Sequence, residues 1–235
     1  MGFMYWVFND IWQAPTASTI EYGLRWKMGH YYVRQMYTPV YPIASLTPYL
    51  ANITDETAQA SFYVVNDLHS TTRGKLICGI YTLDAFAPRI TFGGNVTFTA
   101  PDVQRVINIQ YSLLMKRANC TNISQCIIHC SLLTNEHIVE QTLFLNRPKN
   151  YQLFNPHLKI QSITSVSSND FNIVISADRP ALFVWLDVSA NVTGYFSQNG
   201  FHMFQPVITI SFHSWTPTSV LYLHPTISLY DVTES

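Results

Sequence analysis

The residues best suited to chemistry lie near the start of the chain. Tyr5-Trp6-Val7-Phe8-Asn9-Asp10-Ile11-Trp12-Gln13-Ala14-Pro15 reads as a strand ending in aromatic and polar groups, followed by a loop. In a (β/α)8 barrel such a strand end faces the active site. The Trp6 and Trp12 indoles can stack on a sugar ring, and they can equally be plain barrel core. Elsewhere the usual catalytic patterns are missing. There is no G-x-S-x-G elbow, no phosphate-binding P-loop and no dinucleotide glycine pattern. The eight histidines are scattered, which reads as structural or surface use. Glutamates occur only at Glu21, Glu56, Glu136, Glu140 and Glu234. Asn135-Glu136 superficially looks like an acid/base pair. No glycine-lined barrel strand precedes it, so Glu136 reads as a solvated turn residue. No catalytic residue, metal site or cofactor is expected within these residues.

Five positions fit the N-glycosylation pattern: Asn52, Asn95, Asn119, Asn122 and Asn191. Random sequons in a Thr-rich β protein would account for some of them. Cys120 and Cys126 bracket a short polar segment with a sequon at each side, which reads as a disulfide-closed surface loop. Free buried thiols and a zinc site are the alternatives. Zinc lacks a second ligand pair at suitable spacing and any H-x₃₋₅-H pair. Cys78 and Cys130 both sit in alternating runs and could form a second, buried bridge. Sequons with a disulfide imply the secretory route. Met1 to Phe8 nevertheless has no basic segment before it and no small-residue cleavage site after it, so no signal peptide is read here.

The elements that must position these groups are mostly strands. Charged residues make up 11% of the chain, Ser and Thr about a sixth, and the net charge is −1. That charge gives no footprint for nucleic acid or an anionic membrane. No apolar run reaches the ~18 residues of a membrane span. With 48% hydrophobic residues over 235 positions, a sizeable core is available. Residues 1–40 hold a strand at Phe3–Phe8 and a helix marked by Leu24, Met28, Tyr31, Tyr32 and Met36, ended by Pro39 and Pro42. Residues 41–148 alternate with period two at Leu76/Cys78/Ile80, at Ile107/Ile109/Tyr111/Leu113 and at Cys126/Ile128/Cys130/Leu132. Phe92-Gly93-Gly94-Asn95 and Ala118–Thr121 read as turns between strands. After a linker at Asn146–Asn150, residues 149–235 repeat the pattern at Phe171/Ile173/Ile175, Leu182–Val188 and Ile208/Ile210/Phe212. Short alternating strands with regular turns predict two β-sandwiches.

Several long motifs resemble one family. The run from Tyr5 to Pro15, then Ser18, Glu21-Tyr22-Gly23, Trp26-Lys27-Met28 and His30-Tyr31, resembles the last barrel strand and helix of the animal lysosomal β-mannosidases of glycoside hydrolase family 2. The resemblance continues in order through Val65–Ser70, Asn119-Cys120-Thr121, Phe183–Val188, Gly194–Phe201 and Trp215–Thr218. It implies a mainly β chain, with the last strand and helix of a (β/α)8 barrel followed by two immunoglobulin-like sandwiches. It also implies a retaining lysosomal hydrolase that releases terminal non-reducing β-D-mannose from oligosaccharides of N-glycoprotein breakdown. Such chemistry needs two carboxyl groups about 5 Å apart. In the family both are Glu on earlier barrel strands with no counterpart here, so the chain alone is expected to be inactive. Its expected partners are a β-mannose-terminated oligosaccharide and the missing N-terminal domains of the same enzyme. By the same resemblance Trp6 lines the mannose subsite, Asn9, Asp10 and Trp12 shape the adjoining loop, and Glu21, Tyr22, Trp26 and Lys27 are structural. The alternative from another class is a non-catalytic secreted glycan-binding or adhesion protein of two immunoglobulin-like domains.

Overall fold

The computed structural model describes residues 4–13, 15–99 and 101–234. The chain forms two compact units, one from residues 1–37 together with 155–235 and the other from residues 38–154. Strands dominate both. Residues 4–8 form no strand; the run touches a neighbouring segment by one parallel bridge, Asn9 to Ile20. A strand needs a continuous ladder, and among the described residues only this short stretch lies alongside. Phe3, where the predicted strand begins, lies outside the described residues. The helix forms later than the sequence periodicity suggests, as α1 (Met28–Met36). Leu24 sits in a left-handed turn, φ 68°, and does not join it.

In the unit of residues 38–154, β1 (Val40–Thr47), β2 (Gln59–Asn66), β3 (Thr72–Thr82), β4 (Ile90–Phe98), β5 (Asp102–Gln110), α2 (Tyr111–Arg117), β6 (Cys126–Thr134) and β7 (Ile138–Phe144) follow in order. One sheet has the order β1-β2-β5, the other β4-β3-β6-β7. Their inner residues form one core, with Ala44, Leu46, Phe62 and Val64 from the first sheet and Leu76, Cys78, Ile80, Ile128 and Leu132 from the second. Pro42 does not end α1; it lies inside β1, paired with Val64. β1 is an edge strand, where proline's missing N–H is tolerated. The Gln141 side chain reaches Ala44, its amide oxygen Oε1 accepting from the Ala44 backbone N–H, and so caps that edge.

The alternation at Ile107, Ile109, Tyr111 and Leu113 breaks at Tyr111. From there the period is helical, and Tyr111, Leu114 and Met115 of α2 are buried on one face. Gly93 and Gly94 are not a turn but the middle of β4. At Gly93, φ is 137° and an added Cβ would lie 2.0 Å from the Leu76 carbonyl oxygen of the paired strand, so only glycine fits. Asn66, fully buried at the end of β2, donates to the carbonyls of Ser70, Phe98 and Thr99 and accepts from the Leu68 N–H. A buried amide is tolerated because its partners are all present. After a 3-10 turn at Pro148–Asn150, Tyr151 anchors the exit: its hydroxyl accepts from Leu145 N and Asn146 N and donates to Cys126 O.

The other unit contains β8 (Lys159–Ser165), β9 (Asp170–Ser176), β10 (Ala181–Val188), β11 (Gly194–Phe196), β12 (Phe201–Met203), β13 (Val207–Ser214), α3 (Val220–Leu223) and β14 (Ile227–Tyr230). Its sheets have the orders β11-β13-β9-β8 and β12-β10-β14. Phe171, Ile173 and Ile175 alternate inward on β9, as do Ile210 and Phe212 on β13 and Val184 and Leu186 on β10. These runs behave as their period-two pattern predicts.

Candidate functional site

The loop from Trp6 to Trp12 exposes large apolar side chains. Trp6 is 91% exposed, Trp12 64%, Ile11 81% and Phe8 57%. Isolated exposed apolar residues are ordinary; here they fall together in one short run. Asn9 is exposed beside them, its amide donating to the Asp10 carbonyl at 3.2 Å. Asp10 is the exception. Its side chain is only 5% exposed, and its carboxylate faces into the protein. It accepts from the Thr16 hydroxyl and, at 3.1 Å, from the Lys27 ammonium. Lys27 Nζ also donates to Ser18 Oγ at 2.9 Å and to the Thr16 carbonyl at 3.3 Å. Hydrogen bonds from Thr16 and Ser18, reinforced by Lys27, hold the Asp10 carboxyl below the usual carboxylate range.

Ile20 is the hub of the backbone here. It is buried, and it bridges Asn9 on one side and Trp26 on the other. Asp10 N donates to Ile20 O at 2.9 Å, Ile20 N to Phe8 O at 3.1 Å, and Lys27 N to Thr19 O at 3.0 Å. His30 lies beneath the loop, its ring nitrogen 3.1 Å from Thr19 Oγ1 and its ring edge-on to Phe8 and Trp26. Burial, and then the Arg34 charge, push its pKa below the ordinary histidine value.

The segment that carries this loop is bound to the strands of residues 155–235. Trp26 stacks on Tyr195 of β11 with centroids 4.6 Å apart and planes 19° apart. Tyr31 meets Trp185 of β10 edge-on, and its hydroxyl accepts from Phe196 N at 3.1 Å. The Tyr32 hydroxyl donates to Gly200 O at 2.7 Å, Arg34 donates to Ser197 O, and Arg25 pairs with Asp187. At Gly200, φ is 66° and an added Cβ would come within 2.7 Å of Met28, so α1 lies close against a backbone that only glycine permits. The Tyr32 phenol, largely buried, has its pKa pushed up to about 12.

Trp6, Asn9, Asp10 and Trp12 therefore fall on one loop, with three of the side chains outward and Asp10 inward. The glutamates lie elsewhere. Glu21 begins the turn before α1, Glu56 precedes β2, Glu136 is in the β6–β7 turn, and Glu140 on β7 faces Ser131 and His129. Among the described residues no group of three or more His, Cys, Asp or Glu could hold a metal ion. Both cysteine pairs are bonded, Cys120 to Cys126 and Cys78 to Cys130, the latter directly opposite each other on β3 and β6. Asn52, Asn95, Asn119 and Asn191 are exposed, whereas Asn122 is half-buried with its Oδ1 accepting from Ser124 N. Lys27 finds its partner Asp10 nearby in the chain, whereas Arg25 and Trp26 find theirs in Asp187 and Tyr195. Asp187 and Tyr195 lie more than 150 residues away in the chain, and no local pattern connects them.

Residues 153–235 match the family model of the Ig-fold domain Ig_mannosidase. Over its whole length the chain is similar to the β-mannosidase of Rattus norvegicus, at 30% identity across 243 aligned residues. That alignment takes in 100% of this chain and 26% of the rat protein, so the chain spans about a quarter of that relative. Among solved structures, a β-D-mannosidase from Dictyoglomus thermophilum superposes with a TM-score of 0.75 at 16% identity, over 97% of this chain and 26% of that one. An exo-chitosanase from Amycolatopsis orientalis superposes at 0.64 with 10% identity, over 97% of this chain and 29% of that one. The fold thus occurs in proteins named for different sugars, while the relatives in sequence are β-mannosidases, as the motif resemblance implies.

Proposed function

We propose that this chain is part of a retaining β-mannosidase that removes terminal non-reducing β-D-mannose from oligosaccharides, working in the lysosome on products of N-glycoprotein breakdown. In this reading residues 1–40 supply the last barrel strand and helix, residues 41–148 and 149–235 the two immunoglobulin-like sandwiches. The observation that carries it is the Trp6–Trp12 loop, exposed and held from behind, in a chain similar to animal β-mannosidases throughout. Trp6 and Trp12 stack on the mannose ring, as aromatic faces do in sugar sites, and Asn9 offers an amide to a hydroxyl. Asp10 shapes the loop, its carboxylate accepting from Thr16 and Lys27 while each oxygen keeps acceptor capacity. The nucleophile and the acid/base belong to Glu residues outside this chain, which contributes binding and orientation to their chemistry. The sequons and disulfides fit passage through the secretory route.

The test joins the chain to the rat enzyme in place of the corresponding quarter. The joined protein is expected to hydrolyse p-nitrophenyl β-D-mannoside, and the 235-residue chain alone is not. Turnover by the chain alone, abolished by substituting one of its own glutamates, would overturn the reading.

A further inference from the structure

We infer that the strands of residues 155–235 set the position of the sugar-facing loop, with Asp187 and Tyr195 as positioning residues that act through residues 25–27. The inference rests on the β-mannoside reading for its purpose, but not for its geometry.

The loop carrying Trp6, Asn9 and Trp12 rests on residues 16–20, with Thr19 N donating to the Val7 and Phe8 carbonyls and Thr19 Oγ1 to Phe8 O. Its anchors run backward through Asp10 to Lys27, and through Ile20 to Trp26. Within their own segment residues 25–27 are held by backbone bonds, Glu21 N to Arg25 O and Lys27 N to Thr19 O, and by the Trp26 ring against His30 and Tyr31. Gly23 and Leu24 before them both have positive φ, 102° and 68°. Lys27, the residue capping α1, makes no side-chain cap bond, so the helix start lacks the usual local restraint. The strands add the side-chain contacts that aim Arg25 and Trp26. Arg25 donates to the Asp187 carboxylate and, at 3.4 Å, to the Val188 carbonyl. Trp26 lies face to face on Tyr195, which is itself backed by Trp215 at 5.1 Å and His213 at 5.3 Å. The chain of support is continuous: β10 and β11 hold Arg25 and Trp26, Lys27 holds Asp10, and Asp10 holds the exposed loop.

Magnitudes separate positioning from simple stability. The Arg25–Asp187 pair is about a third to two-fifths exposed on each side, 32% and 42%. Such pairs contribute about 0–1 kcal/mol, too little to decide whether the unit folds. Its effect is directional, since the guanidinium fork fixes which way residues 25–27 leave the turn. Binding sites lose function when a supporting contact lets them move by about 1 Å, well before the protein unfolds.

The experiment uses the 235-residue chain carrying Asp187→Asn with Tyr195→Leu, compared with the unchanged chain and with Tyr195→Phe. Amide hydrogen exchange is read at Asp10, Ile20 and Lys27, whose N–H groups donate along the loop, and at Ile173 and Ile210 in the core strands. Titration with methyl β-D-mannoside is followed at the Trp6 and Trp12 indole resonances. The expected result is exchange faster by about tenfold or more at the loop amides, with core rates unchanged. A weaker indole response to the mannoside accompanies it, and Tyr195→Phe, which keeps the ring stack, behaves like the unchanged chain. Loop exchange that stays the same, or that rises only together with the core, overturns the positioning role. Selective loosening of the chain, with no loss of p-nitrophenyl β-D-mannoside turnover when the same two substitutions are carried in the rat enzyme bearing this chain, upholds the coupling and sinks its β-mannoside purpose instead.

Discussion

The two units hold themselves together in different ways. The one at residues 38–154 is a continuous stretch of chain containing every cysteine, and both pairs are bonded across or beside its core. The other is assembled from residues 1–37 and 155–235, far apart in sequence, with no cysteine in either part. It relies on a ring stack, tyrosine hydroxyls and an ion pair. The covalently closed unit contains no tryptophan. The non-covalently assembled one carries the exposed indoles. A docked segment can be adjusted by single contacts, and that is where a binding loop benefits from being held by something outside itself.

The largest effect that tests this contrast is on the closed unit. Replacing Cys78 and Cys130 together by Ala opens a bridge with a sequence separation of 52 and should cost about 4 kcal/mol. Removing the Cys120–Cys126 bridge, with a separation of 6, should cost about 2 kcal/mol. Urea unfolding followed by amide exchange measures both. Lost protection should appear in residues 38–154 and leave β9 and β13 as they were; equal loss in both would erase the distinction.

Next in size is Asn66→Leu. It leaves the Leu68 N–H and several carbonyls of the same unit unpaired in a buried site, for about 2–3 kcal/mol. In the other unit, Tyr31→Phe removes one acceptor from Phe196 N and should cost about 1 kcal/mol. Its signature is faster exchange at Phe196 with the core strands unaffected.

The smallest effect is of pH. His30 is held below its ordinary value, first by burial and then by Arg34. As pH falls below about 6.5, the unfolded chain takes a proton that the folded one refuses, so the native state loses stability until the folded value is passed. Opposite it stand Thr19, Phe8 and Trp26, with Arg34 the nearby charge. Exchange at Thr19 and Ile20 should therefore quicken between neutral and mildly acidic pH, and His30→Gln should flatten that dependence.

Much of the strand core was legible because its faces differ. Leu76, Cys78 and Ile80 recur at every second position and point inward, and Phe171, Ile173 and Ile175 do the same. Tyr111 misled because a strand ends and a helix begins without a proline or glycine to mark the change. Gly93 and Gly94 misled for the opposite reason: turn-like residues are required there by a close strand contact. Phe3–Phe8 reads as a strand from its own residues, but pairing depends on neighbours a local pattern does not supply. What residues 25–32 pack against is equally absent from any local pattern. That segment covers Trp185, Tyr195 and the Gly200 backbone, so its loss would uncover them. The site's exposed indoles were readable as residue types; the contacts that hold them were not, because Arg25 and Asp187 meet only after folding.

The most direct measurement is hydrolysis of p-nitrophenyl β-D-mannoside by the rat enzyme bearing this chain, with and without Trp6→Ala and Trp12→Ala. The account predicts activity in the unchanged protein and a fall of about a hundredfold with both indoles removed, matching the loss of well-oriented contacts in a sugar site. Full activity without either indole would contradict it.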